Sequence, residues 1–235
     1  MSLYDSYFDS LQSSFSSLPR RMARRWLKTH EHPRVLYTLL KSLPAGAKLL
    51  DVGCGPCNNL RIFNSYRDDI YLYGLDFNVA NVDGEIGDLA LVQADPSKSI
   101  PFPAESFDLV VSYFVLEHIE TSRLDAFCES LANVVKPGGH LFLTFPNEQS
   151  LKHGFYDDPT HVRPYTAFSV NKLFAPRGFK HVSSGKDRSF KILMLSPFYQ
   201  LMSLFRRDNT NINFFTIHLL GTNSYYLGRK LDDTR

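Results

Sequence analysis

The chain has 235 residues, of which 43% are hydrophobic and 21% charged, and its formal net charge is +2. These values are ordinary for one globular domain with a full hydrophobic core, and the small charge predicts no nucleic-acid partner. Three cysteines, an odd number, argue against a disulfide framework, and no signal-like or membrane-spanning apolar segment occurs, so a cytoplasmic location is expected.

Residues 1–46 are predicted to form a helical region. Within it, residues 20–28 place five cations around Trp26. This stretch predicts either a solvated basic helix or a surface that binds an anionic substrate, a lipid surface or RNA. A further amphipathic helix over 35–43 is closed by a proline and a glycine before the first strand.

Residues 48–60 predict a strand, a glycine turn and a helix. Lys48–Val52 is a short apolar strand, Gly53 to Pro56 is the turn, and helical spacing begins at Asn58. A glycine turn between a buried strand and a helix N-terminus brings a ligand close to backbone N–H groups and to the positive end of the helix dipole. The sequence therefore predicts a ligand site here.

A dinucleotide is a poor match to this turn. Gly53 and Gly55 fit a G-x-G-x-x-G pattern, but Asn58 stands at the third glycine. Asp51, at the end of the strand, would also repel a phosphate.

The turn also contains Cys54-Gly-Pro-Cys57, the C-x-x-C spacing of thioredoxin-like proteins. Gly53 precedes it where such proteins usually carry an aromatic residue, so a dithiol oxidoreductase is a weak alternative. Cys128 and the eight histidines show no ligand spacing, and no metal is expected.

Three successive predicted strands each end in an aspartate, namely Asp51, Asp76 and Asp95. Parallel strands bring their carboxyl ends to one edge of the sheet, so the three carboxylates are expected to make a negative pocket. Such a pocket suits a cation attached to a nucleoside, with Asp76 accepting hydrogen bonds from ribose hydroxyls. S-adenosylmethionine, with its sulfonium, amino group and adenosine, fits this pattern.

Two further strands follow. The fourth ends at Ser112 and Tyr113, and Glu117-His118 come directly after it, at the expected mouth of the site. Thr121 is predicted to cap the next helix, which 136–139 ends before a fifth strand over 140–145. His118 is expected either to act as a general base or only to shape the pocket.

Residues 146–166 predict an extended or turned segment because two prolines exclude helix. In an extended chain His161, Arg163 and Tyr165 alternate onto one face, where they would bind a substrate hydroxyl and an anionic group, with His161 as a candidate base. The alternative is a polar loop held by its own hydrogen bonds. Thr166 is predicted to cap the helix that follows.

A sixth strand is predicted after Phe179 and the last strand at about 224–229. Between them, residues 192–220 form an apolar excursion, too interrupted to span a bilayer. It predicts a lid over an apolar substrate, a dimer face, a membrane-surface contact or packing onto the sheet.

Together these motifs resemble the ordered motifs of class I S-adenosylmethionine-dependent methyltransferases, from about residue 48 to 147. The matching stretches are Leu49-Leu-Asp-Val-Gly-Cys-Gly, Gly74-Leu-Asp76, Gln93-Ala-Asp95, Phe107-Asp-Leu-Val-Val-Ser112, Val115-Leu-Glu-His118 and Val135-Lys-Pro-Gly-Gly139. One departure is Cys57, which stands where the family commonly has a third glycine.

The resemblance implies an α/β, Rossmann-like doubly wound seven-stranded sheet of order 3-2-1-4-5-7-6, with the last strand antiparallel and helices on both faces. One domain over 1–235 is expected, with an N-terminal helical cap (1–46), a cofactor-binding core (47–185), and the excursion and last strand (186–235). Transfer of a methyl group to a small-molecule, lipid-linked or saccharide-linked acceptor is expected, leaving S-adenosylhomocysteine. A catalytically silent binding module of the same fold is the alternative.

The resemblance and the strand ends together give the predicted site. The cofactor-binding residues are Asp51, Gly53, Cys54, Gly55, Asp76, Phe77, Asn78, Asp95, Pro96 and Tyr113. By resemblance Asp95 would bind the adenine amino group, although it also suits a turn cap, and Phe77 is either an adenine contact or a core residue. Candidate catalytic residues are His118 and His161; Arg163, Tyr165 and the lid residue Tyr7 are expected to bind substrate, and Tyr4 is a further lid candidate.

Overall fold

The computed structural model describes residues 31–79, 86, 88–152, 154–186 and 223–232. Tyr4, Tyr7, the basic stretch 20–28 and the apolar segment 192–220 lie outside the described residues. In chain order the elements are α1 (Glu31–Ser42), β1 (Lys48–Val52), α2 (Asn58–Tyr66), β2 (Tyr71–Asp76), β3 (Leu89–Gln93), β4 (Phe107–Tyr113), α3 (Leu124–Val134), β5 (Val135–Pro146), α4 (Ala167–Phe174), β6 (Phe179–Lys186) and β7 (Asn223–Lys230). Short 3₁₀ turns occur at Leu116–His118, Glu148–Lys152, Phe155–Asp157 and Ala175–Arg177.

The described strands form one seven-stranded sheet in the order β3-β2-β1-β4-β5-β7-β6. β1 pairs in parallel with β2 and β4, β2 with β3, and β4 with β5, whereas β7 runs antiparallel to β5 and β6. The predicted strand order and the antiparallel seventh strand are confirmed. This topology brings the carboxyl ends of β1, β2 and β4 to one edge, where ligands bind in open α/β sheets.

Two hydrophobic layers cover the faces of the sheet. One joins α3 and α4 to the sheet through Phe127, Leu131 and Phe174. The other joins α1 and α2 through Leu40 and Phe63. Burial of each such side chain contributes roughly 1.5–3 kcal/mol. The two layers therefore hold the central strands rigidly, and with them the strand ends that carry the predicted site.

The fifth strand begins earlier than predicted. The predicted helix stop at 136–139 is instead part of β5, which starts at Val135. The register between β4 and β5 shifts between Phe107 and Leu109, and Gly138 has a φ of 75°, so an irregularity in the ladder absorbs these residues. β5 follows α3 directly, without a turn between them.

Of the two helix N-caps predicted from the sequence, one is wrong and one is confirmed. α3 begins at Leu124, with Arg123 as an N-cap that makes no side-chain hydrogen bond, so the cap predicted at Thr121 is wrong. Thr166 does cap α4, through a reciprocal pair of hydrogen bonds with Ser169. Among the described residues, no helix is long and apolar enough to cross a membrane.

Candidate functional site

The glycine turn between β1 and α2 is shaped by a close contact with the chain that follows β4. Gly53 has a φ of 77°, and a Cβ added there would lie 2.2 Å from Cγ2 of Val115, so only glycine fits. The N–H groups of Gly53 and Cys54 donate to the carbonyl of Leu75 at 2.7 and 3.1 Å. The turn is thereby fixed against the end of β2.

Asp76 joins this turn to the end of β2. Its carboxylate is buried and accepts hydrogen bonds from the N–H groups of Gly55, at 2.8 Å, and Asn78, at 2.9 Å. Burial raises the pKa of Asp76, and the backbone hydrogen bonds oppose that rise. Each oxygen keeps a second lone pair, so the residue can accept further hydrogen bonds from a nucleoside.

Asp51 is fully buried (0% exposed), and within the described part of the chain neither carboxylate oxygen makes a hydrogen bond of normal geometry. Burial and the nearby charge of Asp76 raise the pKa of Asp51 to about 8, and the side chain of Asn59 only partly offsets them. An orphaned buried carboxylate is costly unless a donor or a cation meets it. The amino group of S-adenosylmethionine would fill that need, so the residues present fit this cofactor.

Phe77 and Asp95 differ in what surrounds them. Phe77 is 45% exposed at the edge of the sheet, which rules out the core alternative, and its contact with adenine stays a prediction. Asp95 accepts from the N–H and Oγ of Ser97 at 3.0 and 2.7 Å, and pairs with Lys98 at 3.2 Å. It therefore caps the turn that Pro96 begins. A contact of Asp95 or Pro96 with adenine stays a prediction.

The end of β4 is tied to the end of β1, because Ser112 Oγ donates to the carbonyl of Val52 at 2.9 Å. Tyr113 is half-buried, with its ring centroid 5.7 Å from that of Phe142. Its predicted contact with a cofactor stays a prediction.

Cys54 and Cys57 are buried and unoxidised, with their sulfur atoms 3.5 Å apart. The hydrogen bond with Cys57 and burial raise the pKa of Cys54 far above that of an ordinary thiol. Dithiol chemistry needs an accessible thiolate, which this environment disfavours. The geometry thus argues against the oxidoreductase alternative.

His118 and His161, from different parts of the chain, lie side by side with ring centroids 4.7 Å apart. The backbone brings them together, since the N–H of Val162 donates to the carbonyl of Glu117 at 2.8 Å. Burial and the neighbouring His161 lower the pKa of His118. His118 is therefore neutral at physiological pH, a form able to accept a proton or bind a metal.

The structure brings Arg163 and Tyr165 into contact, whereas His161 lies beside His118. The N–H of His161 donates to the carbonyl of Asp158 in the turn that precedes this segment. Tyr165 is 5% exposed, packs edge-to-face on Phe145 and accepts a hydrogen bond from Arg163 Nε at 2.9 Å. This burial argues against substrate binding by Tyr165, whereas the roles of His161 and Arg163 stay predictions.

Two features of this region were not assigned to the site from the sequence. Glu117 was seen only as a neighbour of His118, yet it is 0% exposed, and its oxygens have no hydrogen-bond partner among the described side chains. Thr160 was not singled out, yet it bridges Asp158 and His118. The Glu-His pair and the Asp-Pro-x-His spacing were the only signals, because pairing across forty residues leaves no local pattern.

A family model described as a methyltransferase domain matches residues 20–184. The tRNA N(3)-cytidine methyltransferase METTL2 of Gallus gallus is 27% identical over 180 residues, which cover 63% of this chain and 47% of that protein. The tRNA (carboxymethyluridine(34)-5-O)-methyltransferase of Schizosaccharomyces pombe is 30% identical over 129 residues, covering 53% and 54%. The chain spans about half the length of these curated relatives.

Solved structures share the fold at lower identity. A methyltransferase in a complex with the Haloferax volcanii Trm112 methyltransferase activator has a TM-score of 0.68 and 17% identity, covering 98% of this chain and 99% of that one. Haemonchus contortus phosphoethanolamine N-methyltransferase 2, in complex with S-adenosylmethionine, has a TM-score of 0.64 and 15% identity, covering 85% and 52%.

The prediction of no nucleic-acid partner is wrong. It rested on the net charge of +2 alone, whereas the curated relatives named above are tRNA methyltransferases. Net charge averages over the whole chain and hides local clusters such as the five cations at 20–28, which is why it misled.

Proposed function

We propose that this chain, which belongs to the family of class I S-adenosylmethionine-dependent methyltransferases, transfers a methyl group to a pyrimidine nucleoside of tRNA. The observation that carries the transferase is the cradle at the carboxyl edge of β1 and β2. There a glycine turn donates to Asp76, and within the described residues the oxygens of Asp51 make no hydrogen bond of normal geometry. The acceptor is inferred from relatives of 25–30% identity named for cytidine and modified uridine in tRNA.

The cradle assigns roles to individual residues. Asp76 would accept hydrogen bonds from the ribose hydroxyls, and Asp51 would pair with the amino group of the amino-acid moiety. Phe77, exposed beside them, would lie against adenine. When bound, S-adenosylmethionine supplies a methyl group already activated by a sulfonium.

The protein's main task is therefore alignment of the acceptor and exclusion of water. A ring nitrogen with a lone pair needs no base for this attack, whereas a hydroxyl must lose its proton. If the acceptor is a hydroxyl, His118 and His161 are the candidates to take that proton. Arg163, half-buried in the same segment, is a candidate for an RNA phosphate.

The basic stretch 20–28 supports an RNA acceptor from the sequence side. Five cations next to an aromatic residue suit a phosphate backbone and a stacked base. The family match begins at residue 20, so this stretch belongs to the matched region.

The test is methyl transfer from isotopically labelled S-adenosylmethionine to total tRNA, with digestion to nucleosides and mass spectrometry. Label is expected in a methylated pyrimidine nucleoside. Asp76→Ala should weaken cofactor binding about 10- to 150-fold, as expected for roughly 1.5–3 kcal/mol lost with hydrogen bonds to a charged group. Asp232→Ala is the matched control, since Asp232 is an exposed carboxylate paired with Arg229 near the opposite edge of the sheet.

Other outcomes separate the alternatives. Label in a small-molecule, lipid or saccharide fraction, and none in tRNA, would overturn the RNA acceptor and restore the acceptor class expected from the sequence. Tight binding of S-adenosylhomocysteine without any transfer would point to a silent binding module. Equal cofactor affinity in Asp76→Ala and wild type would contradict the ribose assignment.

A further inference from the structure

Glu117, His118 and His161 form a compact cluster beside the cofactor cradle. One carboxylate oxygen of Glu117 and one nitrogen of each ring all lie within 4.8 Å of one another. Glu117 is fully buried, and within the described residues neither of its oxygens has a hydrogen-bond partner. A buried carboxylate without a donor is costly, so its persistence here points to a missing partner.

The hydrogen bonds of His161 fix which of its nitrogens carries the proton. Its Nδ1 lies 2.6 Å from the carbonyl oxygen of Phe155. A carbonyl can only accept, so Nδ1 must be the donor and the lone pair is on Nε2. This tautomer is the one that binds a metal through Nε2 while the other nitrogen is held by an acceptor.

His118 has the same tautomer through a two-step chain. Its Nδ1 lies 2.8 Å from Thr160 Oγ1, and that hydroxyl donates its single hydrogen to Asp158 Oδ1 at 2.5 Å. The hydroxyl hydrogen therefore points toward Asp158 and not toward His118. The Nδ1 of His118 therefore donates to Thr160, which leaves the lone pair on Nε2.

We propose that Glu117, His118 and His161 bind one divalent transition-metal cation, for which Zn²⁺ is the best match. Two neutral imidazoles and a carboxylate suit zinc, whereas Mg²⁺ and Ca²⁺ prefer oxygen ligands throughout. Tetrahedral bonds of about 2.0–2.1 Å place ligand atoms roughly 3.4 Å apart, so the cluster must contract by little more than 1 Å. Small side-chain rotations supply such a change.

The described residues offer this cluster three ligand atoms, one fewer than a tetrahedral zinc requires. Three protein ligands are the number found in catalytic zinc sites, where a fourth position holds water or substrate. Asp158 Oδ2, 4.0 Å from His161 Nε2, is a further oxygen within reach. Val115, which directly precedes the turn that carries Glu117 and His118, lies against the glycine turn at Gly53.

Metal binding excludes a role for the same nitrogen as a base. A bound Nε2 has no lone pair left for a proton, so the cation site and the predicted histidine base are competing assignments. The absence of local spacing explains why no metal was expected from the sequence, since Glu117-His118 and His161 belong to segments separated by the whole of α3 and β5.

The test uses the full chain without an affinity tag, stripped with a chelator and titrated with Co²⁺ and Zn²⁺. One equivalent of Co²⁺ should give visible absorption bands, and Zn²⁺ should displace it. Glu117→Gln and His161→Gln should each lose the bands. His181→Gln should keep them, because His181 is an exposed histidine on β6 outside the cluster.

Thr160→Val is the more delicate variant, since it keeps all three ligands and removes the hydroxyl that joins His118 to Asp158. It should weaken Zn²⁺ binding about 10- to 100-fold, the usual effect of losing such a partner. It also decides the matter if either ligand variant fails to fold, which circular dichroism of the chelated proteins would reveal. No binding by wild type, or equal binding by wild type, Thr160→Val and the folded ligand variants, would overturn the proposal.

Discussion

Cys57, at the start of α2, has φ 60° and ψ 28°, a left-handed backbone conformation that glycine normally adopts. The left-handed region costs a residue with a Cβ about 1–2 kcal/mol. The sequence identified Cys57 as a departure from the family's third glycine, and the conformation now explains why glycine is common there. The side chain is fully buried, so its packing offsets part of the strain.

We expect Cys57→Gly to be more stable than Cys57→Ala by about 1 kcal/mol, whereas alanine is usually the more stabilising of the two residues. Both variants lose the sulfur, but only alanine keeps the Cβ that the left-handed conformation disfavours. Urea unfolding of the two proteins measures the difference. Cys57→Gly should also bind S-adenosylhomocysteine within a few-fold of wild type. A more stable alanine variant would show that the turn differs in solution.

Single residues also show where prediction from sequence ends. The aspartates at strand ends could be identified because strand periodicity and order place them. The burial of Tyr165 could not, because it depends on packing against Phe145, which alternation along one segment does not reveal. That no described residue donates to the Glu117 carboxylate depends on how two distant segments pack, which no local pattern encodes.

Among the elements, α4 and the segment before it position the residues near the candidate site. Thr166 and Ser169 cap the helix reciprocally, and the N–H of Tyr165 donates to the carbonyl of Pro146, fixing the end of the segment that carries His161. The cap was predictable from a threonine before an apolar run. The bulged start of β5 was not, because Lys136-Pro-Gly-Gly139 has turn composition and lies in the register shift between the Phe107–Val135 and Leu109–His140 pairs.

Thr166→Ala should lower the free energy of unfolding by about 0.5–2 kcal/mol, because the N–H of Ser169 loses its acceptor. Thr166→Ser keeps the hydroxyl and should stay close to wild type. Chemical denaturation of the two variants measures the contrast. Equal destabilisation by serine and alanine would assign the effect to the lost methyl group and contradict the capping role.

At the scale of the whole molecule, the fold followed from repeated strand–helix–strand units, which leave few topologies. The pKa values of buried groups could not be predicted, because a net charge of +2 does not show which carboxylates are buried. Burial raises the pKa values of both Asp51 and Glu117 to about 8. Folding therefore traps protons that the unfolded chain releases near its ordinary carboxyl pKa of about 4.

The raised pKa of Asp51 makes the free energy of unfolding depend on pH. Above about pH 4 the unfolded chain has lost the proton that folded Asp51 keeps until about pH 8, so stability falls as pH rises through this window. Between pH 6.5 and 8, where ordinary carboxyls no longer titrate, each such group contributes a fall of at most about 1.4 kcal/mol per pH unit. Asp51→Asn should flatten the profile in part, since Glu117 contributes with the same sign. Urea unfolding at several pH values measures it.

The cofactor should flatten the same profile by a different route. S-adenosylhomocysteine retains the amino group that would pair with Asp51, and a cation beside a carboxylate favours the ionised form. At saturating ligand, stability between pH 6.5 and 8 should fall less steeply than in the free protein, and Asp51→Asn should show little of this change. A ligand effect of equal size at every pH in both proteins would separate Asp51 from the amino group. The cradle would then rest on Asp76 alone.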